Sequence, residues 1–146
     1  MKNRVAITGM GIISSIGLTV EENFQSLLSK KHGISTIDFI ETVHKKEILV
    51  GEIKTSNETL QHLLNLPENN TFTRTGLLGA YAAKQAIQNA NILDVNEVRT
   101  GFISSTSVAG MDFTEKHYKQ YEQHPEYTKY IESHNAGDTS NKIAEY

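Results

Sequence analysis

The chain has 146 residues, 38% hydrophobic and 21% charged, proportions of a globular protein and not of a disordered one. Its formal net charge of -3, from 14 basic and 17 acidic residues, supplies no positive field for a phosphate backbone and argues against a nucleic-acid partner. No cysteine is present, which excludes disulfides, thiolate metal sites and a cysteine nucleophile within these residues.

Residues 4–8 (Arg4-Val5-Ala6-Ile7-Thr8) form a short apolar run closed by glycine, the pattern of a strand buried on both faces. Lys2 and Arg4 before this run have the charge order of a secretory leader, but Gly9, Gly11 and Gly17 with Thr8, Ser14 and Ser15 interrupt it. No apolar run reaches the roughly 18 residues of a membrane helix, so the expectation is a soluble, cytoplasmic protein with no membrane partner. The glycine-rich stretch 9–17 predicts a tight loop. A helix follows, with Thr19 as its cap and Glu22 completing a capping box. Val20, Phe24, Leu27 and Leu28 share one face, Lys30 and Lys31 complement the dipole, and Gly33 is the expected terminator.

Ile48-Leu49-Val50 leads into Gly51-Glu52-Ile53 as a short strand, and residues 55–66 predict a small amphipathic helix with Leu60, Leu63 and Leu64 on one face. Pro67-Glu68-Asn69-Asn70 reads as a turn. A helix is predicted over 73–90; Gly79, Ala82, Ala83, Ala86 and Ala90 line one side of it, where another backbone can come close. Asn91 stands where a left-handed residue often ends a helix. Residues 101–106 are a second buried-strand candidate, leading into Ser107-Val108-Ala109-Gly110. Phe113, His117 and Tyr121 recur at helical spacing, and Pro125 opens a stretch with Tyr127, Tyr130 and Ile131. Gly137-Asp138-Thr139-Ser140 signals a cap, with a helix from Asn141 to Tyr146. Alternating strands and helices imply parallel pairing. Too few strands are present to cover both faces of a sheet, so the chain reads as a piece of something larger, with no internal domain boundary over 1–146.

Chemical motifs are few. Gly9, Gly11 and Gly17 are spaced too widely for a dinucleotide fingerprint, and none of the six tyrosines has lysine four residues on, as a short-chain dehydrogenase requires. The plainer reading is that these glycines let a loop turn and pack tightly. The six histidines form no metal-ligand pair by spacing. Ser104, Ser105 and Ser107 lack the Gly-x-Ser-x-Gly frame of a nucleophile elbow. The tyrosine-rich stretch suits a packing or protein-contact surface, and a free-standing interaction module stays open on this basis.

The order of motifs resembles one family. Arg4-Val5-Ala6-Ile7-Thr8-Gly9-Met10-Gly11-Ile12-Ile13-Ser14-Ser15-Ile16-Gly17 is similar to the opening strand and loop of the elongating β-ketoacyl carrier-protein synthases, a group that includes polyketide ketosynthases and their chain-length partner subunits. Phe24-Gln25-Ser26-Leu27-Leu28 with Lys31-His32-Gly33-Ile34, then Ala82-Ala83-Lys84-Gln85-Ala86-Ile87 with Ala90-Asn91-Ile92, then Arg99-Thr100-Gly101, and finally Ser140-Asn141-Lys142-Ile143-Ala144 follow in the family's order. The resemblance implies an α/β fold, half of a thiolase-like αβαβα domain, incomplete in this chain. It implies a homodimer or a related heterodimer, acyl thioesters and acyl carrier protein as partners, and no cofactor or metal. The reaction would be acyl transfer to a cysteine followed by decarboxylative condensation with a malonyl thioester, assisted by two histidines. In the family these three groups lie C-terminal to the matched region, so no catalytic residue is assigned here and the chain alone is expected to be inactive. A chain-length-factor subunit remains the alternative.

Val108 matches the position of an apolar residue lining the acyl pocket, with Ala109, Gly110 and Met111 forming the loop around it; these four are the candidate substrate-binding residues. Asn135 and Ala136 match a segment that approaches the partner subunit's pocket. The 104–109 loop is richer in serine than the family's glycine-rich version, Asn91 replaces a glycine, and 113–130 has no motif to align.

Overall fold

The computed structural model describes residues 4–97 and 99–146; Lys2, part of the leader-like charge pattern, lies outside them. Helices α1 (Val20–Leu28), α2 (Asn57–Leu64), α3 (Arg74–Asn89), α4 (Met111–Tyr121), α5 (Thr128–Ile131) and α6 (Ala136–Glu145) dominate, with strands β1 (Ser35–Thr36) and β2 (Leu49–Val50). The chain divides into two compact units, one of Met1–Ser56 with Tyr81–Leu93 and the other of Asn57–Ala80 with Asp94–Tyr146.

In the first unit, α1 starts where the capping signal predicts. The Thr19 hydroxyl accepts from the Glu22 N–H at 3.2 Å, and the Glu22 carboxylate reaches back to the Leu18 N–H at 2.6 Å, one residue before the cap itself. The helix ends at Leu28 with Ser29 as its cap, and not at Gly33. Lys30 takes φ 57, the Lys31 N–H bonds the Ser26 carbonyl at 2.8 Å and the Lys30 N–H bonds that of Leu27 at 3.1 Å, which is a Schellman closure. Gly33 instead makes room for a neighbouring loop, since a side chain there would collide with the backbone of Ser15.

The apolar face predicted for α1 is turned outward. Leu27 is 66% exposed, Phe24 and Leu28 are exposed too, and the buried positions of α1 are Asn23 and Ser26. Hydrogen bonding explains this. The Asn23 amide donates to the carbonyls of Gly17 at 2.9 Å and Thr19 at 2.7 Å and bonds the Ser14 hydroxyl, while the Ser26 hydroxyl donates to Ile16 O at 2.7 Å. The polar face thereby satisfies the loop's backbone.

Residues 4–8 and 101–106, predicted as buried strands, form no ladder, and Val5 and Ile103 are 95% and 97% exposed. A two-faced buried strand needs neighbours on both edges and layers on both faces, and none pairs with these segments among the described residues. The parallel pairing inferred from the element order is likewise absent from the described residues. The one ladder among them is antiparallel, Ser35 opposite Val50 and Thr36 opposite Leu49. The 37–48 connection carries no crossover helix and reverses through a turn at His44, so the strands return antiparallel.

Close backbone approach to the small side of α3 is present as predicted. A Cβ at Gly9 would stand 2.7 Å from Ala90 N, one at Gly11 would stand 2.8 Å from Ala86 N, and both would be nearer still to the carbonyl oxygens of Ala86 and Ala82. Neither glycine uses a positive φ, so these residues serve contact and not turning. The Gln85 side chain bonds Ile12 O and Leu18 O, and Asn89 accepts from the Met10 N–H, fixing the loop along the helix. Asn91 ends α3 in the left-handed conformation expected of it, at φ 55.

In the second unit Leu60, Leu64, Leu77 and Ala80 are buried with Phe72 and Ile143, an apolar core of the kind that the pattern in 55–66 predicts, though Leu63 is exposed. Thr73 caps α3, its hydroxyl accepting from Gly76 N at 3.2 Å. Helix α6 begins earlier than the sequence signal at 137–140: the Asn135 side chain accepts from Gly137 N at 2.9 Å, and a full turn precedes Asn141. Lys142 donates to Thr71 O at 2.8 Å, Tyr146 to Leu64 O at 2.8 Å, and Ile143 packs on Gly79.

Candidate substrate-binding loop

The candidate residues Val108, Ala109, Gly110 and Met111 form a tight bend at the N-terminus of α4, and the structure divides them in two pairs. Ala109 and Gly110 are buried and anchor the bend, whereas Val108 and Met111 are 50% and 45% exposed and present its apolar surface. Ala109 takes φ 45, a region that costs an L-residue roughly 1–2 kcal/mol. The conformation is held by Thr106, whose hydroxyl accepts from the N–H groups of Val108 at 3.2 Å and Ala109 at 3.0 Å. The Met111 N–H closes the bend onto Val108 O at 3.2 Å.

Gly110 is where the loop meets the 132–134 turn. A Cβ there would stand 2.7 Å from the Ser133 hydroxyl oxygen and closer still to the Ser133 carbonyl, so the two backbones touch. Ser133 is fully buried and donates to Tyr130 O at 2.6 Å. Thr114, one turn into α4, bonds the His134 ring at 3.1 Å. Sequence reasoning misses the support from Thr106 and Ser133; the serine- and threonine-rich composition of 104–107 is its only trace. Asn135 is engaged as the α6 cap, and the side chain of Ala136 lies outside what the structure describes.

Phe113, His117, Tyr127 and Tyr130 gather beside this loop. His117 stacks on Tyr130 with ring centroids 4.4 Å apart, tilts against Tyr127 at 5.2 Å and meets Phe113 edge-on at 5.9 Å. Burial lowers the affinity of His117 for a proton, Lys116 adds to that, and Gln120 opposes it. Elsewhere, in the first unit, Glu52 is buried and accepts from the N–H groups of Asp38 at 2.8 Å and Phe39 at 2.9 Å and from Lys54 at 2.7 Å. Burial by itself would raise its carboxyl; the Lys54 ammonium and the two N–H groups outweigh that and bring it down to about 2. Among the described residues no group of three or more His, Asp or Glu assembles that would hold a metal, and no helix is long and apolar enough to cross a membrane.

Comparison with known proteins agrees with this scaffold. The family described as Beta-ketoacyl synthase, N-terminal domain, matches residues 2–145. The 3-oxoacyl-[acyl-carrier-protein] synthase 2 of Staphylococcus aureus (strain COL) is 32% identical over 120 residues, which cover 80% of this chain and 28% of that protein. The granaticin polyketide putative beta-ketoacyl synthase 2 of Streptomyces violaceoruber is 28% identical over 138 residues, covering 90% of this chain and 32% of that protein. The solved structure of the ishigamide ketosynthase/chain length factor superposes with a TM-score of 0.74 at 23% identity, covering 99% of this chain and 37% of its own, a likeness of fold. The chain thus spans about a third of the length of the relatives it matches. Its motifs, its fold and the family match together place it: the chain belongs to the β-ketoacyl synthase family, in the N-terminal domain.

Proposed function

We propose that this chain is the N-terminal portion of a single thiolase-like condensing domain of the 3-oxoacyl-carrier-protein synthase type. It supplies half of the αβαβα scaffold and one wall of the acyl site, while the condensing groups come from polypeptide outside these 146 residues. The observation that carries the reading is the pair of apolar segments 4–8 and 101–106, which have the sequence pattern of buried strands and yet leave Val5 and Ile103 almost wholly exposed. Apolar runs of this kind are stable once flanking strands and a second helical layer cover them. The lack of cysteine supports the same division of labour.

In this reading Val108 and Met111 face the acyl chain, with Ala109 and Gly110 keeping them in place. Acyl thioesters and acyl carrier protein are the partners, a homodimer or related heterodimer is the assembly, the compartment is the cytoplasm, and no cofactor takes part. A chain-length-factor subunit uses the same scaffold and differs in lacking the reactive cysteine downstream. The test is to incubate the pure chain with acyl- and malonyl-carrier protein, and to map the adduct of an acyl thioester bearing a photo-reactive tail on the assembled enzyme. The expected results are no condensation by the chain alone and labelling within 108–111. Condensation by the pure chain, or labelling confined to other segments, would overturn the proposal.

A further inference from the structure

Residues 111–134 contain a polar group that the scaffold leaves unpaired. The His117 Nδ1 atom is buried and makes no hydrogen bond, within a ring that Tyr130 covers on one side and Phe113 and Tyr127 close in from others. A neutral imidazole leaves Nδ1 as a bare acceptor or a lone donor. A protonated ring must place an N–H on both nitrogens, so Nδ1 then carries an N–H where the present packing gives it no partner, and Gln120 is the one side chain that favours the charged ring.

We propose that His117 is a proton-operated latch: neutral, it clamps residues 125–134 onto α4; protonated, it releases them and loosens the Val108–Met111 loop. Burial of the ring sets the sign, and the charges around it are secondary. A stacked imidazolium would gain from the face of Tyr130, but the Lys129 ammonium already lies 4.9 Å from the centroid of that ring. Lys116, beside His117 on α4, repels a second positive charge, and Gln120 is the group that favours it. On the packed elements, Glu126 is engaged by His124 at 3.2 Å and His134 by Thr114, which leaves Glu132 as the remaining acidic group of the 125–134 segment. Burial acts in the same direction as Lys116.

The route from ring to loop is a chain of direct contacts. Tyr130 carries the stack, its carbonyl accepts from the Ser133 hydroxyl, and the Ser133 backbone abuts Gly110, next to the strained Ala109. Ala109 holds φ 45 while its neighbours enforce it, so withdrawal of Ser133 frees the loop to relax. The bearing on acyl binding rests on the proposed reading of the loop; the latch itself does not.

The test uses the 146-residue chain, following the His117 ring by NMR and the amide exchange of 106–114 and 125–134 between pH 8 and pH 5. His117 is expected to titrate below the ordinary imidazole value of 6.5. Exchange protection of both segments should fall at least about tenfold with the same midpoint. His117→Phe, which keeps a stacking ring and removes the proton, should hold protection down to pH 5, while His124→Gln and His134→Gln should leave the midpoint unmoved. Titration of His117 at or above 6.5, protection that survives that titration, or an unchanged transition in His117→Phe each overturns the latch. If His117→Phe does not fold, the titration and exchange of the native chain decide alone. No arm reads acyl binding, so failure of the latch and failure of the substrate-loop reading are told apart.

Discussion

Gly11 lies against Ala82 with no room for a methyl group between them: a Cβ on Gly11 would overlap the Ala82 carbonyl oxygen and stand 2.8 Å from Ala86 N. The loop that opens the chain is therefore seated on the backbone of α3, and the fit depends on glycine for space.

Gly11→Ala must push the loop off the helix and break the Gln85 bonds to Ile12 and Leu18. A loss of about 1–3 kcal/mol is expected from overpacking of this kind. Gly101→Ala, where a Cβ would meet nothing within 4 Å, is the control and should stay within about 0.5 kcal/mol. Urea unfolding of the two variants checks the contrast; equal midpoints would contradict the packing.

Lys30 closes α1 in the left-handed conformation at φ 57 without being glycine. Lys30→Gly removes the steric cost of that conformation while raising the entropy of the unfolded chain, a net gain of up to about 1 kcal/mol. Thermal unfolding should show a higher midpoint, and a lower one would mean that the Lys30 side chain matters more than its backbone.

The Glu52 carboxyl falls from 4.5 to about 2 on folding, so the folded state binds fewer protons there than the unfolded one. Its contribution is present in full above pH 4.5 and is lost as the pH falls through the window down to about 2. NMR of the Glu52 side-chain carbon should titrate near the lower end. Glu52→Gln should cost about 1–3 kcal/mol, since one amide oxygen cannot serve two backbone N–H groups and Lys54 together. It should also flatten the acid limb of the stability profile, and an unchanged limb would assign acid sensitivity elsewhere.

Thr106→Val keeps shape and removes the acceptor shared by Val108 and Ala109. A cost of about 1–3 kcal/mol and faster amide exchange at those two positions are expected, with Thr106→Ser restoring both. Exchange that does not change would show that the loop holds its bend without this hydroxyl.

Local chemistry is readable wherever one residue satisfies its own neighbours. Thr19 and Glu22 start α1, Asn91 ends α3, and Leu60 and Leu64 enter the core as their spacing indicates. The small side of α3 correctly announces a close backbone, though not that Gly9 and Gly11 supply it. The loop residues 108–111 emerge by resemblance alone, because no spacing rule marks an alanine that adopts φ 45 or a threonine that holds it there.

The sequence by itself determined the start of α1, helices α2 and α3 and the family motifs, since these depend on interactions within a few residues of the chain. Tertiary structure decided which face of α1 is covered, that the 4–8 and 101–106 runs form no ladder among the described residues, and that β1 and β2 run antiparallel. A helix face or a strand acquires its role from whatever packs against it, and that partner is a property of distant residues. The same holds for His117, which the sequence marks only by its helical spacing from Phe113 and Tyr121 until Tyr130 is laid across its ring.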